Sequence, residues 1–217
     1  MNKAPKSDRR FIEGPAGRLE ATIDTPADIP SAGAVVVCHP HPQHGGTMHN
    51  KVVYTLARSF VRMGFVSLRF NFRGTEASDG HYDNGHGELD DALAAIAWMR
   101  TRYPNESLWL AGFSFGAAIA IRASIAVEVS GLVSVAPAVD GFGNDLAGQP
   151  RCPWLVLQGD KDEVVDVDLT MEWINSLEPG PELLVMSGAG HFFHGKLVDL
   201  RSSVTEFVER HRIKPCL

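Results

Sequence analysis

Short apolar runs alternate with amphipathic segments along most of the chain. One of these runs, AVVVC at residues 34–38, is rich in β-branched residues, which is typical of a strand buried on both faces. The segments between them repeat apolar residues at helical spacing, as in residues 50–63, which Gly64 closes. The pattern predicts strands at residues 10–13, 18–24, 34–38, 65–70, 108–112, 131–135, 154–158 and 182–186, and helices at residues 50–63, 87–102, 116–125, 167–177 and 197–211.

This order of elements predicts an α/β fold with a mostly parallel sheet and helices on both faces. Residues 1–217 are expected to form a single domain, with residues 1–9 as a flexible N-terminus. Ligands of such sheets bind beyond the carboxyl ends of the strands, so the functional residues are expected in the loops that follow the strands.

Composition narrows the classes of function. The 217 residues are 44% hydrophobic and 21% charged, as in a soluble globular protein, and the net charge of −6 without a basic stripe argues against a nucleic-acid partner. The polar start MNKAPKSDRR and the lack of a long apolar run predict a cytoplasmic protein without a membrane partner. Three widely spaced cysteines, Cys38, Cys152 and Cys216, indicate reduced thiols.

A candidate nucleophile lies in GFSFG at residues 112–116, between a predicted strand and a predicted helix. A serine on a tight strand-to-helix turn is exposed above the sheet, and glycines on both sides relieve the crowding of that turn. Ser114 is therefore the candidate nucleophile. The N–H of Phe115 points to the helix N-terminus, where it would stabilise an oxyanion. The alternative is a packing turn with a passive serine.

Two further loops carry the remaining candidates in the chain order Ser, Asp, His. Asp162 follows the strand in LVLQGDKDEVV and is expected to orient a histidine, whereas Asp160 is expected to brace the turn. His191 follows the strand in MSGAGHFFH and is the candidate general base, with His194 at the start of the next helix as its competitor.

These motifs give the chain a resemblance to the α/β-hydrolase superfamily. Together with HPHP (39–42), FNFRG (70–74) and DNGHGELDD (83–91), they make it similar to small bacterial hydrolases without a lid, related to dienelactone hydrolases and serine aminopeptidase-like esterases. The resemblance implies an eight-stranded sheet, a triad of Ser114, His191 and Asp162, and an oxyanion hole built partly by the loop after the third strand. Dienelactone hydrolases use a cysteine where this chain has Ser114, so their substrate is not carried over.

The expected activity is that of a serine hydrolase on small ester or thioester molecules, with no cofactor, in a monomer or a homodimer. Ser114 would form an acyl-enzyme while His191 acts as general base. The chain between residues 135 and 154 is too short for a helical cap, so an open cleft and short acyl chains are expected. Phe113, Phe142 and Phe192 are candidate pocket residues, although such residues are often core.

The run CHPHPQHGGTMHN at residues 38–50 raises the alternative of a metal-dependent enzyme. The prolines on both sides of His41 hold the backbone extended, so the rings of His39 and His41 are not expected to converge on one metal ion. No acid lies nearby to orient a histidine ligand, so no metal is expected. The same prolines leave the His41 N–H as the one backbone donor before Gln43. In related hydrolases the second oxyanion donor comes from this place, and the His41 imidazole is expected to be replaceable with modest loss.

Two other functions remain open from sequence alone. A peptidase or amidase of the same fold would need a pocket for an amine or a peptide terminus. A protein that binds ligands without turnover would have no need to keep Ser114, Asp162 and His191 in this order.

Overall fold

The computed structural model describes residues 6–27, 32–139 and 148–212. Strands and helices alternate after an N-terminal hairpin, as the pattern of the sequence predicts. The elements are β1 (Lys6–Gly14), β2 (Gly17–Thr25), β3 (Gly33–Cys38), a 3-10 turn (Pro42–His44), α1 (Lys51–Arg62), β4 (Phe65–Phe70), α2 (His86–Arg102), β5 (Leu108–Phe113), α3 (Phe115–Ala126), β6 (Gly131–Val135), β7 (Trp154–Gly159), α4 (Val167–Asn175), β8 (Glu182–Met186) and α5 (Leu197–His211).

The eight strands form one sheet in the order β1-β2-β4-β3-β5-β6-β7-β8. In this order, every pair from β4-β3 to β7-β8 is parallel, whereas β1 pairs antiparallel with β2 and β2 pairs antiparallel with β4. The predicted fold is therefore confirmed, with the addition that the sheet is mixed at one edge. Strand β5 lies between β3 and β6, in the middle of the sheet, and ends directly before Ser114.

Two hydrophobic layers hold the helices against the sheet. All residues of β3 to β7 are buried, which explains why those strands read as continuous apolar runs. Along β3, Val35 and Val37 belong to the layer that contains α1 and α5, whereas Val36 and Cys38 belong to the layer that contains α2 and α3. The alternation follows from the two-residue period of a strand.

The N-terminal prediction is wrong in part, because β1 begins at Lys6 and not at residue 10. Residues 6–9 pair with β2, from Lys6 opposite Thr25 onward, so they are not a flexible terminus. Most side chains of β1 are exposed, which is why the hydrophobic pattern missed its first half. The prediction for residues 1–5 lies outside the described residues.

The described residues between β6 and β7 contain no helix that would cover the carboxyl end of the sheet. Phe142 lies outside the described residues, so the prediction that it lines a pocket stays a prediction. Within residues 6–27, 32–139 and 148–212, no helix is both long and apolar enough to cross a membrane.

Candidate active site

Ser114 lies on a sharp turn between β5 and α3. Its backbone has φ 55° and ψ −122°, a left-handed conformation that a serine adopts only when the surrounding structure requires it. The Ser114 N–H donates to the Val135 carbonyl over 2.9 Å, so the turn is held by the neighbouring strand β6. This is the geometry that presents a nucleophile above the end of a central strand.

The glycines on both sides of Ser114 are required by contacts between backbones. A Cβ on Gly112 would lie 2.2 Å from the Gly116 carbonyl oxygen, and a Cβ on Gly116 would lie 2.3 Å from the His39 carbonyl oxygen. The turn and the loop after β3 are therefore in direct main-chain contact. A side chain at Gly116 would push α3 away from the His39 segment, and a side chain at Gly112 would push β5 away from the first turn of α3.

The structure brings Ser114, His191 and Asp162 together from three separate loops. His191 Nε2 lies 3.1 Å from Ser114 Oγ, and His191 Nδ1 lies 2.8 Å from Asp162 Oδ2. Because a carboxylate only accepts, Nδ1 carries the proton and Nε2 is free to accept the proton of Ser114. Only 2% of His191 and 7% of Ser114 are exposed, so the pair is shielded but Ser114 remains reachable.

Asp162 is held as a carboxylate by several donors. Its Oδ1 accepts the N–H groups of Val164 and Val165 over 2.9 and 2.8 Å, and its Oδ2 accepts Gln158 Nε2 over 3.1 Å in addition to His191. Burial acts to raise the pKa of Asp162, but the hydrogen bonds from His191, Val165 and Val164 outweigh it and lower that pKa below the usual value. Asp162 is therefore ionised at neutral pH and fixes the tautomer of His191.

The two competitors for these roles lie elsewhere. Asp160 accepts the Gly188 N–H over 2.7 Å and the Ser187 hydroxyl over 3.3 Å, so it braces the loop after β8, in line with its predicted part. His194 is exposed, and it precedes α5, which begins at Leu197, so it does not lie at a helix start.

The phenylalanines near His191 differ in their exposure. Phe113 is fully buried in the core, and its ring lies 4.9 Å from the His191 ring. It therefore supports the histidine from the core side and offers no surface to a substrate, contrary to the expectation from sequence. Phe192 is 40% exposed and its ring meets the His191 ring edge-on at 5.1 Å, which places it at the rim of the site. Glu163 Oε2 accepts the His191 N–H over 3.2 Å.

One candidate oxyanion donor, Phe115, directly follows Ser114 in the chain, and the other, His41, contacts Phe115 through its side chain. Phe115 is the first residue of α3, and its ring lies 4.9 Å from the His41 ring. The His41 N–H donates to no acceptor among the described residues, whereas the His41 carbonyl accepts the N–H groups of His44 and Gly46. The ring contact places the His41 side chain against the first residue of α3.

The His41 imidazole has partners that the sequence did not reveal. Its Nδ1 accepts the Gln43 N–H over 3.2 Å, and its Nε2 lies 3.1 Å from the Tyr82 hydroxyl. Tyr82 is 41 residues away in the chain, and no local pattern links the two positions. The ring therefore caps the 3-10 turn at Pro42–His44. That the imidazole can be replaced with modest loss stays a prediction.

The other histidines of the run differ in their exposure. His39 is buried under the loop, as its position after β3 predicts, whereas His44 and His49 are exposed. Among the described residues, no three His, Cys, Asp or Glu side chains are placed to hold one metal ion.

An ion pair that sequence analysis missed holds the loop after β4. The Arg73 side chain donates through Nε and Nη2 to the two oxygens of Asp91 over 3.0 and 2.7 Å, and the Arg73 N–H donates to the same carboxylate over 2.9 Å. Both residues are buried. The FNFRG and DNGHGELDD motifs are thus joined by this pair, which ties the loop that contains Tyr82 to α2.

Comparisons with known proteins agree with this architecture. The family described as Serine aminopeptidase, S33, matches residues 30–144 of the chain. The uncharacterized protein RP471 of Rickettsia prowazekii is 35% identical over 208 residues, which cover 91% of this chain and 87% of that protein.

Two solved structures are similar over nearly the whole chain. An alpha-beta serine hydrolase homologue from Coxiella burnetii is 45% identical, with 92% of this chain and 96% of that chain covered and a TM-score of 0.87. The protein XC6422 from Xanthomonas campestris, described as a serine hydrolase without lid, is 40% identical, with 100% and 99% covered and a TM-score of 0.90.

The fold and these similarities define an α/β hydrolase of the serine hydrolase type. Within that superfamily, the chain belongs to the family described as Serine aminopeptidase, S33. The resemblance noted from the sequence motifs is thereby confirmed.

Proposed function

We propose that this protein hydrolyses small carboxylic esters or thioesters through an acyl-enzyme on Ser114. The observation that carries the proposal is the continuous hydrogen-bonded chain from Asp162 through His191 to Ser114, with distances of 2.8 and 3.1 Å. A nucleophile, a base with a fixed tautomer and an ionised orienting group in one line are what acyl transfer requires.

The reaction proceeds in two steps. Ser114 Oγ attacks the substrate carbonyl carbon while its proton moves to His191 Nε2, and His191 then protonates the leaving alcohol or thiol as the bond to it breaks. A water molecule next gives a proton to His191 and attacks the acyl-enzyme, and His191 returns that proton to Ser114 as the carboxylic acid leaves. Asp162 stabilises the imidazolium in both steps.

The negative charge on the carbonyl oxygen needs donors on the opposite side from His191. In this proposal the N–H groups of Phe115 and His41 supply them, because the first lies at the N-terminus of α3 and the second at the loop packed against Gly116. Both donors are main-chain groups, which suits a site that accepts several acyl groups. Phe192 provides an apolar wall for the acyl chain.

An aminopeptidase activity is the second candidate, because the family description names one. Such an enzyme must bind a free amino group, usually with a carboxylate. The acids beside Asp162 are engaged by the backbone: Asp160 accepts the Gly188 N–H, Glu163 accepts the His191 N–H and Asp166 accepts the Leu169 N–H. These bonds favour ester hydrolysis over recognition of an amine.

The test compares hydrolysis of p-nitrophenyl acetate and butyrate, an acyl thioester and aminoacyl p-nitroanilides by the wild type, Ser114→Ala and Ser202→Ala. Ser202 is an exposed serine on α5 and serves as the matched control. We expect ester turnover that Ser114→Ala abolishes and Ser202→Ala retains, and fluorophosphonate labelling that maps to Ser114. Equal rates for the wild type and Ser114→Ala would refute the proposal, and turnover of the anilides alone would establish the second candidate.

A further inference from the structure

His39 is a buried histidine that the proposed reaction does not use. It has no exposed surface and directly follows β3. Its Nε2 lies 3.0 Å from the Phe72 N–H, and its Nδ1 lies 2.6 Å from the Pro40 carbonyl oxygen. Because a backbone N–H can only donate, Nε2 accepts, and Nδ1 must carry the proton that it donates to Pro40. Burial lowers the pKa of His39 to about 4, so the ring keeps this neutral tautomer at neutral pH.

The Pro40 carbonyl and the His41 N–H belong to the same peptide group. A trans peptide is planar, so its C=O and N–H point in opposite directions. Among the described residues the one cis bond joins Glu178 to Pro179, so the bond between Pro40 and His41 is trans. A hydrogen bond that fixes the direction of the Pro40 oxygen therefore also fixes the direction of the His41 N–H.

The backbone of Gly46 holds the same oxygen from another side. A Cβ on Gly46 would lie 2.1 Å from the Pro40 oxygen, so glycine is needed for this close packing. The Gly46 N–H donates to the His41 carbonyl over 3.0 Å, which fixes the next peptide group as well. The Pro40 oxygen is thus confined between an imidazole N–H and a glycine backbone.

We propose that His39 is a positioning residue which, through the Pro40 carbonyl, aims the His41 N–H at the oxyanion of the reacting substrate. His39 does not touch the substrate, and the inference rests on the proposed function, since it gives the His41 N–H a part in acyl transfer. A donor that is held in place before the reaction stabilises the transition state more than the ground state, so its loss lowers kcat more than it changes KM.

Two substitutions separate this part from simple packing. In His39→Asn, the side-chain amide N–H can replace Nδ1 as donor to Pro40, but the bond from Phe72 is lost. In His39→Gln, the amide oxygen can replace Nε2 as acceptor from Phe72, but the bond to Pro40 is lost. Each variant keeps one of the two hydrogen bonds. Asparagine is one methylene shorter than glutamine and leaves the larger cavity, so the melting temperature should fall at least as far in His39→Asn as in His39→Gln, and a general loss of packing would not single out His39→Gln.

We expect His39→Gln to lower kcat for p-nitrophenyl butyrate by about 10- to 100-fold with KM within about threefold, since complete loss of an oxyanion donor costs about 10²- to 10³-fold. His39→Asn should keep kcat within about threefold of the wild type. His49→Ala, an exposed histidine of the same run, is the control and should match the wild type.

The inference would be overturned by a His39→Gln variant within threefold of the wild-type kcat, or by equal losses of kcat in both variants. If His39→Gln does not fold, Gly46→Ala displaces the same oxygen from the other side, and an unchanged kcat in that variant also overturns it. Wild type and His49→Ala that neither turn over esters nor label with fluorophosphonate would overturn the proposed function itself. Active controls with an unaffected His39→Gln would overturn only the part given to His39.

Discussion

The substitution Asp162→Asn tests whether Asp162 sets the tautomer of His191, because it changes one carboxylate oxygen to an amide nitrogen with almost no change in volume. The amide can adopt two orientations. When the amide oxygen lies at the Oδ1 position, it accepts the N–H groups of Val164 and Val165, which donate to Oδ1 over 2.9 and 2.8 Å in the wild type. The NH2 group then faces His191 Nδ1. With the amide flipped, the NH2 faces those two N–H groups.

The structure indicates which orientation is favoured. The flipped amide leaves two backbone donors without an acceptor, whereas the other orientation takes the acceptor from one donor, Gln158 Nε2. The difference is one donor, so the flipped amide is disfavoured by about 1 to 3 kcal/mol, or about 5- to 150-fold. In the favoured orientation the NH2 donates to His191 Nδ1, and the proton moves to Nε2. His191 then cannot accept the proton of Ser114. We expect kcat to fall by at least this factor and by up to about 10⁴-fold, as when a triad histidine is held in the wrong tautomer.

The assay is kcat for a short p-nitrophenyl ester at pH 7, with Asp160→Asn as the matched control. Asp160 braces the loop after β8 and does not contact His191 through its side chain, so its variant should retain kcat within about threefold. An Asp162→Asn variant that keeps more than about a fifth of the wild-type kcat would refute the reasoning on the tautomer.

Two further predictions concern stability. Since the folded-state pKa of Asp162 lies below its unfolded value of about 3.9, its ionised form stabilises the fold above that pH, and the contribution is lost as pH falls through the lower, folded-state pKa. The difference in unfolding free energy between wild type and Asp162→Asn, from urea denaturation, should therefore shrink below about pH 4; a difference that stays constant from pH 6 to pH 3 would contradict this. Gly116→Ala places a Cβ 2.3 Å from the His39 carbonyl oxygen and should lower the free energy of unfolding by about 1 to 3 kcal/mol together with kcat. A Gly116→Ala variant with the stability and turnover of the wild type would contradict this prediction, because the loop after β3 would then have shifted without cost.

The parts of the fold that could be predicted from sequence are those with strong local patterns. Strands β3 to β7 are buried on both faces, so each reads as a mainly apolar run, β-branched in β3 and rich in leucine and aromatic residues in β5. Ser114 and Asp162 follow two of these strands, β5 and β7, and His191 follows the more exposed strand β8; parallel strands bring the segments after them to one edge of the sheet. Their meeting was therefore predictable from the order of the elements.

The missed features depend on pairs that are distant in sequence. The first half of β1 is exposed, so its pairing with β2 leaves no hydrophobic signal. Tyr82 meets His41 across 41 residues, and His39 meets the Phe72 N–H across 33 residues. Which buried polar groups become partners is decided by how the loops pack, and one sequence carries no record of that packing.

The part of the candidate site that carries His191 follows β8 and should open locally at a lower free energy than the part that carries Ser114. Strand β8 pairs only with β7 among the described strands, and Leu184 and Val185 are exposed on it, whereas Ser114 follows the central strand β5. Edge elements with few buried contacts open at a lower free energy than the core does. Transient detachment of β8 would carry His191 away from Ser114 while the central strands stay folded. Catalysis should then fade on warming before the protein melts, and it should return on cooling, because the nucleophile side of the site never comes apart.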